Sequence, residues 1–347
     1  MNLLSLEFVY FFLIVLGLAI VFKRTRFFSL FLLSCSLFFY ATFGLESLVI
    51  VIVSLGVNYF LNSLINGATG KRKLFLAVGI VLNILFLLCF KYFDSIGLFI
   101  SQFSNPDAQS NLLLSPFKIF GISYFTLKNI SHLYKLYKKE ISLPTFFEFG
   151  AFVSFFPQLG AGPIQSADTF YIQLGNIKNE IKMPVAKFKL AMTLIVSGLT
   201  KKLLLGTYFF YFYFDQFQNP SLYSSSDLLI GVFAYAFFIY FDFSGYSEIA
   251  NSISMLLGFE NTKNFDYPYT ATSIKEFWSR WHMSLTNWLK ENIYFPLGGN
   301  RRGKLLKYFN IFIVMFVSGF WHGMTWNFII WGILNGVGLI INHIFIK

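Results

Sequence analysis

The stretch "SGFWHGMTWNFIIWG", Ser318 to Gly332, contains no Lys, Arg, Asp or Glu, yet it carries His322 among apolar residues. An ionisable side chain in such a run faces a cavity or a partner group. Burial favours the neutral imidazole, the form that can accept a proton. The residue type also fits a histidine bonded to a neighbouring carbonyl for packing. Asp242 poses the same choice: it is flanked by Tyr240, Phe241 and Phe243, with Tyr246 one turn on along the same helical face. It reads equally as a site acid and as a helix-pairing acid. His282 lies in "FWSRWHMSL", at the edge of an aromatic stripe. "PLGGNRRGK" sets glycines beside Arg301, Arg302 and Lys304. Backbone amides with guanidinium groups suit a phosphate-bearing ligand, and a basic loop that fixes topology would look the same. It is not a P-loop, because the Gly-Lys-Ser/Thr ending is missing. His132, His282, His322 and His343 are scattered without ligand spacing, so no metal is expected.

These residues must be positioned by membrane helices. The 347 residues are 56% hydrophobic and 12% charged, with 48 Phe, whereas a soluble domain carries about a quarter charged residues. The net charge of +11 comes mostly from short clusters between apolar runs, such as Lys23, Arg24 and Arg26, or Lys71 to Lys73. The positive-inside rule accounts for that pattern, so no nucleic-acid partner is expected. Cys35 and Cys89 sit inside apolar runs as packing residues. The first apolar run ends in "KRTR" rather than a small-residue cleavage site, so no cleaved signal is expected.

Spans of ~20 apolar residues are predicted over Leu6–Phe22, Phe27–Phe43, Leu45–Ile65 and Leu74–Phe90, with a shorter piece at Ile96–Phe103 and a span at Leu114–Tyr134. Placing "KRTR" and "GKRK" in the cytoplasm puts the N-terminus outside. Phe146–Phe156 is too short to cross, and the Pro/Gly-dense "FPQLGAGPI" after it predicts a broken or re-entrant helix buried in protein. Asn176–Lys189 reads as a loop, "LTKKLLLGTYFFYFYF" as a helix, and Leu228–Leu257 as a span. Ile274, Phe277, Trp278, Trp281, Leu285, Trp288 and Leu289 share one helical stripe, predicting a single helix in the interface plane with His282 at its edge. The charge-free run Tyr308–Asn342 is too long for one crossing, so two helices are predicted, with the break between Gly319 and Gly323. No internal repeat is found. The fold class is all-α, a multi-pass integral membrane protein with re-entrant and interfacial helices, read as one domain over 1–347.

"IYFDFSGYSEIA", "NFDYPYTATSIKEFWSRWHMSLTNWLKENIYFPLGGNRRGK" and "GFWHGMTWNFIIWG" resemble the membrane-bound O-acyltransferase family, in its bacterial branch of alginate and peptidoglycan O-acetyltransferases. "FGISYFTLKNISHLYKLYKKE" and "FFPQLGAGPIQ" match upstream motifs in the same order, so the resemblance covers most of the chain. The "PLGGNRRG" ending differs from the related D-alanyl lipoteichoic acid exporters. The resemblance implies the family's fold, with its intramembrane histidine at His322 and its second histidine at His282. Arg301, Arg302, Asp242, Tyr246 and Trp321 are assigned to substrate binding. Lys135 stands where relatives usually carry Asp. The chain stops at Lys347, where relatives usually continue through further helices.

What the resemblance implies is acetyl transfer at the bacterial cytoplasmic membrane. Acetyl-CoA is the donor substrate, docking from the cytoplasm near the interfacial helix and the Arg301–Arg302 loop, and no tightly bound cofactor is expected. His322 is the general base, and His282 orients the thioester or relays protons. The acetyl group passes toward hydroxyls of a polysaccharide through a separate extracytoplasmic transferase. The competing readings are a transporter or scaffold whose polar residues line a pathway, and an inactive assembly partner. His343, near the chain's end, is expected to stand apart from the site.

Overall fold

The computed structural model describes residues 1–93, 119–177 and 183–345. Among these the regular elements are helices, with no strand. In chain order they are α1 (Leu6–Phe22), α2 (Phe28–Ala41), α3 (Leu45–Gly67), α4 (Arg72–Phe90), α5 (Ile122–Lys138), α6 (Phe146–Ser154) and α7 (Ala167–Ile177). Then follow α8 (Val185–Leu199), α9 (Thr207–Gln218), α10 (Ser225–Leu256), α11 (Ile274–Arg280), α12 (Met283–Leu289), α13 (Lys304–His322) and α14 (Trp326–Phe345). Helices α3, α4, α10, α13 and α14 are long and apolar enough to cross a membrane, and α1 and α2 are apolar but shorter. The chain is a multi-pass membrane protein. The short span expected at Ile96–Phe103 lies outside the described residues, as does the start of the one expected at Leu114–Tyr134.

The described residues sort into two compact units. One comprises Met1–Phe28, Gly160–Pro163 and Ile172–Asn264. Here α8 runs through a π-helical turn, Thr200–Gly206, directly into α9. Both pack on α10, which opens with a capping box between Ser224 and Asp227. The crossing is close: a Cβ on Gly198 would stand 2.7 Å from the Gly245 carbonyl oxygen, and one on Gly245 would stand 2.7 Å from that of Gly198. Any side chain at either position forces the helices apart. The π turn aims Lys201 and Lys202 at α10, where they pair with Glu248 and Asp242. Ionisable groups in membrane segments are stabilised by such pairing. The loop expected over Asn176–Lys189 is shorter, because α7 continues to Ile177 and α8 already begins at Val185.

The other unit comprises Ser29–Leu159, Ile164–Tyr171 and Phe265–Lys347. Its core is aromatic around α6. Phe149, Phe152, Phe155, Phe156 and Phe170 are fully buried, and truncating any one to Ala would cost about 3–5 kcal/mol. The expectation of a short buried piece is met, since α6 stops at Ser154 and a 3₁₀ turn follows at Phe156–Gln158. Beside it, α5 buries Lys128, whose ammonium donates to the Phe152 carbonyl at 2.9 Å and to Gln158 Oε1 at 2.6 Å. Asn58, Asn62, Asn83 and Asn129 extend this polar seam between α3, α4 and α5. Lys135 donates to Asp168 at 2.6 Å and lies 4.0 Å from Glu291. Half-burial of Asp168 works to raise its carboxyl, but the bonds from Lys135 and Ser166 outweigh it and hold the group below the usual carboxylate range.

Two expected helices differ in this unit. The single interfacial helix over Ile274–Leu289 is instead two short helices, α11 and α12, broken at Trp281–His282. The Arg280 carbonyl, which a continuous helix would need, accepts the Asp266 N–H at 2.9 Å instead. His282 then turns into the left-handed region, with φ of 43°. An apolar stripe survives such a turn, so periodicity could not reveal it. The second difference concerns α13 and α14. The chain breaks after His322, as expected, but Gly319 lies within α13. A Cβ on Gly332 would stand 2.8 Å from the Met315 carbonyl, and one on Gly319 would strike the Phe328 carbonyl. These glycines let the two helices pack backbone to backbone.

Candidate active site

A cavity of about 660 Å³ opens within the second unit, and α13 forms one wall. Lys307, Ile311, Val314, Met315, Ser318 and His322 line it, at steps of 4, 3, 1, 3 and 4 residues. That spacing is one face of a helix. From Lys307 to His322 the helix rises about 22 Å, so the cavity follows most of α13. A second wall comes from α11, α12 and the residues that join and follow them, through Lys275, Trp278, His282, Leu285 and Lys290, and a third from α14 through Leu339 and His343.

His322 is the last residue of α13. Its ring lies 4.9 Å from Trp321, 5.5 Å from Trp331 and 5.9 Å from Phe328. Three aromatic neighbours restrict its orientation while one side meets the cavity. His282 is almost fully buried and occupies the break between α11 and α12. A left-handed backbone on a non-glycine residue costs about 1–3 kcal/mol and is held only by its surroundings. Burial first, and then the nearby His322, push the His282 imidazole down to about 3. It is therefore neutral at any physiological pH, able to donate one hydrogen bond and accept another.

The opposite end of the cavity is basic. Lys307 Nζ lies 3.5 Å from His343 Nδ1, and Lys275 is close enough to interact with both His343 and Lys290. Burial, and then the charge of Lys275, lower Lys290 below the ordinary lysine value. Among the described residues lining the cavity there is no Asp or Glu. Like charges gathered without an acid are unfavourable unless an anion joins them.

The residues singled out from sequence are thus brought together only in part. His322 and His282 share the cavity. Arg301 and Arg302 are exposed and are not among its lining residues, with Arg302 lying over Gly298. Trp321 packs on His322 and does not line the cavity. Asp242 and Tyr246 belong to the other unit, where Lys202 pairs with the acid and sits 5.9 Å from the tyrosine ring. His343, expected to stand apart, lines the cavity. Lys275, Lys290 and Lys307 were not singled out by residue type, although the spacing from Lys307 to His322 was readable as one helical face. Among the described residues no group of three or more His, Cys, Asp or Glu could hold a metal ion.

Residues 64–347 match the model of the MBOAT, membrane-bound O-acyltransferase family. The peptidoglycan O-acetyltransferase of Helicobacter pylori is 33% identical over 92% of this chain, and the match covers 65% of that relative. The probable alginate O-acetylase AlgI of Pseudomonas aeruginosa is 34% identical over 92% of this chain and 61% of its own length. The teichoic acid D-alanyltransferase of Streptococcus thermophilus is 32% identical over 65% of this chain and 57% of its own length. The chain thus spans less than two thirds of the length of these relatives.

Proposed function

This chain belongs to the MBOAT, membrane-bound O-acyltransferase family, and on that premise we propose that it transfers acetyl groups from acetyl-CoA toward hydroxyls of an extracytoplasmic polysaccharide. One observation carries the reading: a single cavity runs along α13 from a cluster of lysines to His322, with His282 on its wall. The lysine end suits the phosphates of a nucleotide thioester, and the length of the cavity suits the arm that carries the acyl group. Acetyl is favoured over D-alanyl because the two O-acetylating relatives match 92% of the chain, against 65% for the D-alanyltransferase.

In the reaction, His322 takes the proton of the acceptor hydroxyl as its oxygen attacks the thioester carbonyl. The carbon–sulfur bond breaks, and the leaving thiolate recovers the proton from the imidazolium. General-base help of this kind contributes roughly 10²–10⁴-fold. His282, held neutral, is placed to hydrogen-bond the acyl oxygen or the attacking group. The acceptor is a polysaccharide hydroxyl or that of a separate extracytoplasmic transferase. Acetyl-CoA is consumed as a substrate rather than held as a cofactor. Purified full-length protein in detergent or nanodiscs, given labelled acetyl-CoA and an acceptor polysaccharide with its transferase, should release free thiol in step with label incorporation. Intact thioester after incubation would exclude the reading.

The membrane is the bacterial cytoplasmic membrane, with the N-terminus outside and "GGNRRGK" in the cytoplasm. Lys307 then faces the donor side and His322, one helix length away, the acceptor side. With Cys35 and Cys89 replaced by Ser, a single cysteine at Arg302 should resist an impermeant thiol reagent added to whole cells. Ready labelling there would reverse the orientation and the donor side with it.

A further inference from the structure

We infer that Lys91 and Tyr92, at the end of α4, are positioning residues for His322. The geometry begins with the way α13 finishes. Its last intrahelical bond runs from the Gly323 N–H to the Gly319 carbonyl at 3.3 Å. The next carbonyls, those of Phe320 and Trp321, lie beyond it and face the loss of their helical donors. Side chains more than 200 residues earlier in the chain supply replacements. The Tyr92 hydroxyl donates to the Phe320 carbonyl at 3.0 Å and to the Trp321 carbonyl at 2.8 Å. The Lys91 ammonium donates to the same Trp321 carbonyl.

Ring contacts reinforce the tie. The Lys91 ammonium lies 4.9 Å from the Trp321 ring and 5.0 Å from the Tyr92 ring, and the Tyr92 and Phe320 rings are 5.8 Å apart. Tyr92 itself is buried, 3% exposed. A cation at a helix C-terminus is stabilised by the helix dipole, and here the ammonium is also close enough to interact with His322. His322 is the terminal residue of the helix. The three aromatic neighbours restrict the ring itself, and the two carbonyls that precede it fix the backbone that carries the ring. Neither Lys91 nor Tyr92 lines the cavity. Their effect reaches the reaction through the backbone of residues 320–322.

This inference rests on His322 being the base, but one of its readouts does not. Four full-length variants carry the test: Lys91→Met, Tyr92→Phe, their combination, and Lys91→Arg. Misplacement of a catalytic group by about 1 Å costs on the order of 10²-fold, so the double variant should lose about 10–100-fold in kcat. Its KM for acetyl-CoA should stay within about threefold of the wild type, because the donor contacts lie elsewhere. Lys91→Arg keeps a cationic donor and should retain most of kcat. Independently of any donor, hydrogen–deuterium exchange of residues 318–325 should quicken about tenfold in the double variant and remain slow in Lys91→Arg, as expected when a charge-assisted bond is lost. Unchanged exchange and unchanged kcat in a folded double variant would overturn the inference. So would a rise in KM at constant kcat. If the wild type transferred no acetyl from acetyl-CoA, the proposed function would fail while the exchange measurement still decided the clamp. If the double variant did not fold, Tyr92→Phe, which removes one oxygen atom, would be read by the same two measurements.

Discussion

His322→Gln should lower acetyl transfer by roughly 10²–10⁴-fold, the loss expected when a general base is removed. Glutamine has similar reach and keeps a polar end, but it does not take a proton from a hydroxyl. The site around it should hold. Phe328 and Trp331 are supplied by α14, Trp321 is fixed by its own contacts, and Gly319 and Gly332 keep the helices together. The loss should therefore fall on kcat, with KM for acetyl-CoA and membrane expression near those of the wild type. A histidine control must be chosen with care. His343→Gln is unsuitable because His343 lines the same cavity, 3.5 Å from Lys307. Thr193→Ala, on an exposed face of α8, serves instead. A folded His322→Gln protein that kept most of its transfer would make the imidazole a packing residue and remove the base from the mechanism.

What the sequence revealed and what it concealed follow from the range of the forces involved. Hydropathy is local, so α3, α4, α10, α13 and α14 were readable as spans, and the break after His322 followed from the length of a charge-free run. The turn at His282 was not readable, because it depends on the Arg280 carbonyl being taken by Asp266, outside the helix it interrupts. Asp242 looked like a site residue because its partner, Lys202, is 40 positions away. Lys202 in turn looked like a topology signal. Lys91 ends an apolar run with nothing nearby in sequence to mark it, and its tie to α13 spans 230 positions. The arginines of "PLGGNRRGK" drew attention by residue type, yet they are exposed and do not line the cavity. Residue type and spacing drew attention to His322 and His282, which line one cavity. They could not say which cations share their cavity.

That last point yields the second large expected effect. Lys275, Lys290 and Lys307 gather at the end of the cavity away from His322. Desolvation and the neighbouring Lys275 make the charge of Lys290 costly, and a ligand's phosphates would relieve that cost. Replacing all three by Gln should raise KM for acetyl-CoA by about 10²-fold or more, since hydrogen bonds to charged groups contribute about 1.5–3 kcal/mol each and partial exposure reduces that sum. The change should be in KM rather than kcat, because the phosphates are bound equally in the ground and transition states. S-acetylpantetheine, which keeps the acyl arm but has no phosphates, should be used by the triple variant about as well as by the wild type. Arg301→Ala with Arg302→Ala should weaken acetyl-CoA use far less, because those guanidinium groups stand outside the cavity. An arginine loss exceeding the lysine loss would return phosphate recognition to the exposed loop. Equal losses for the two donors would mean that the lysines hold the cavity's shape rather than a nucleotide.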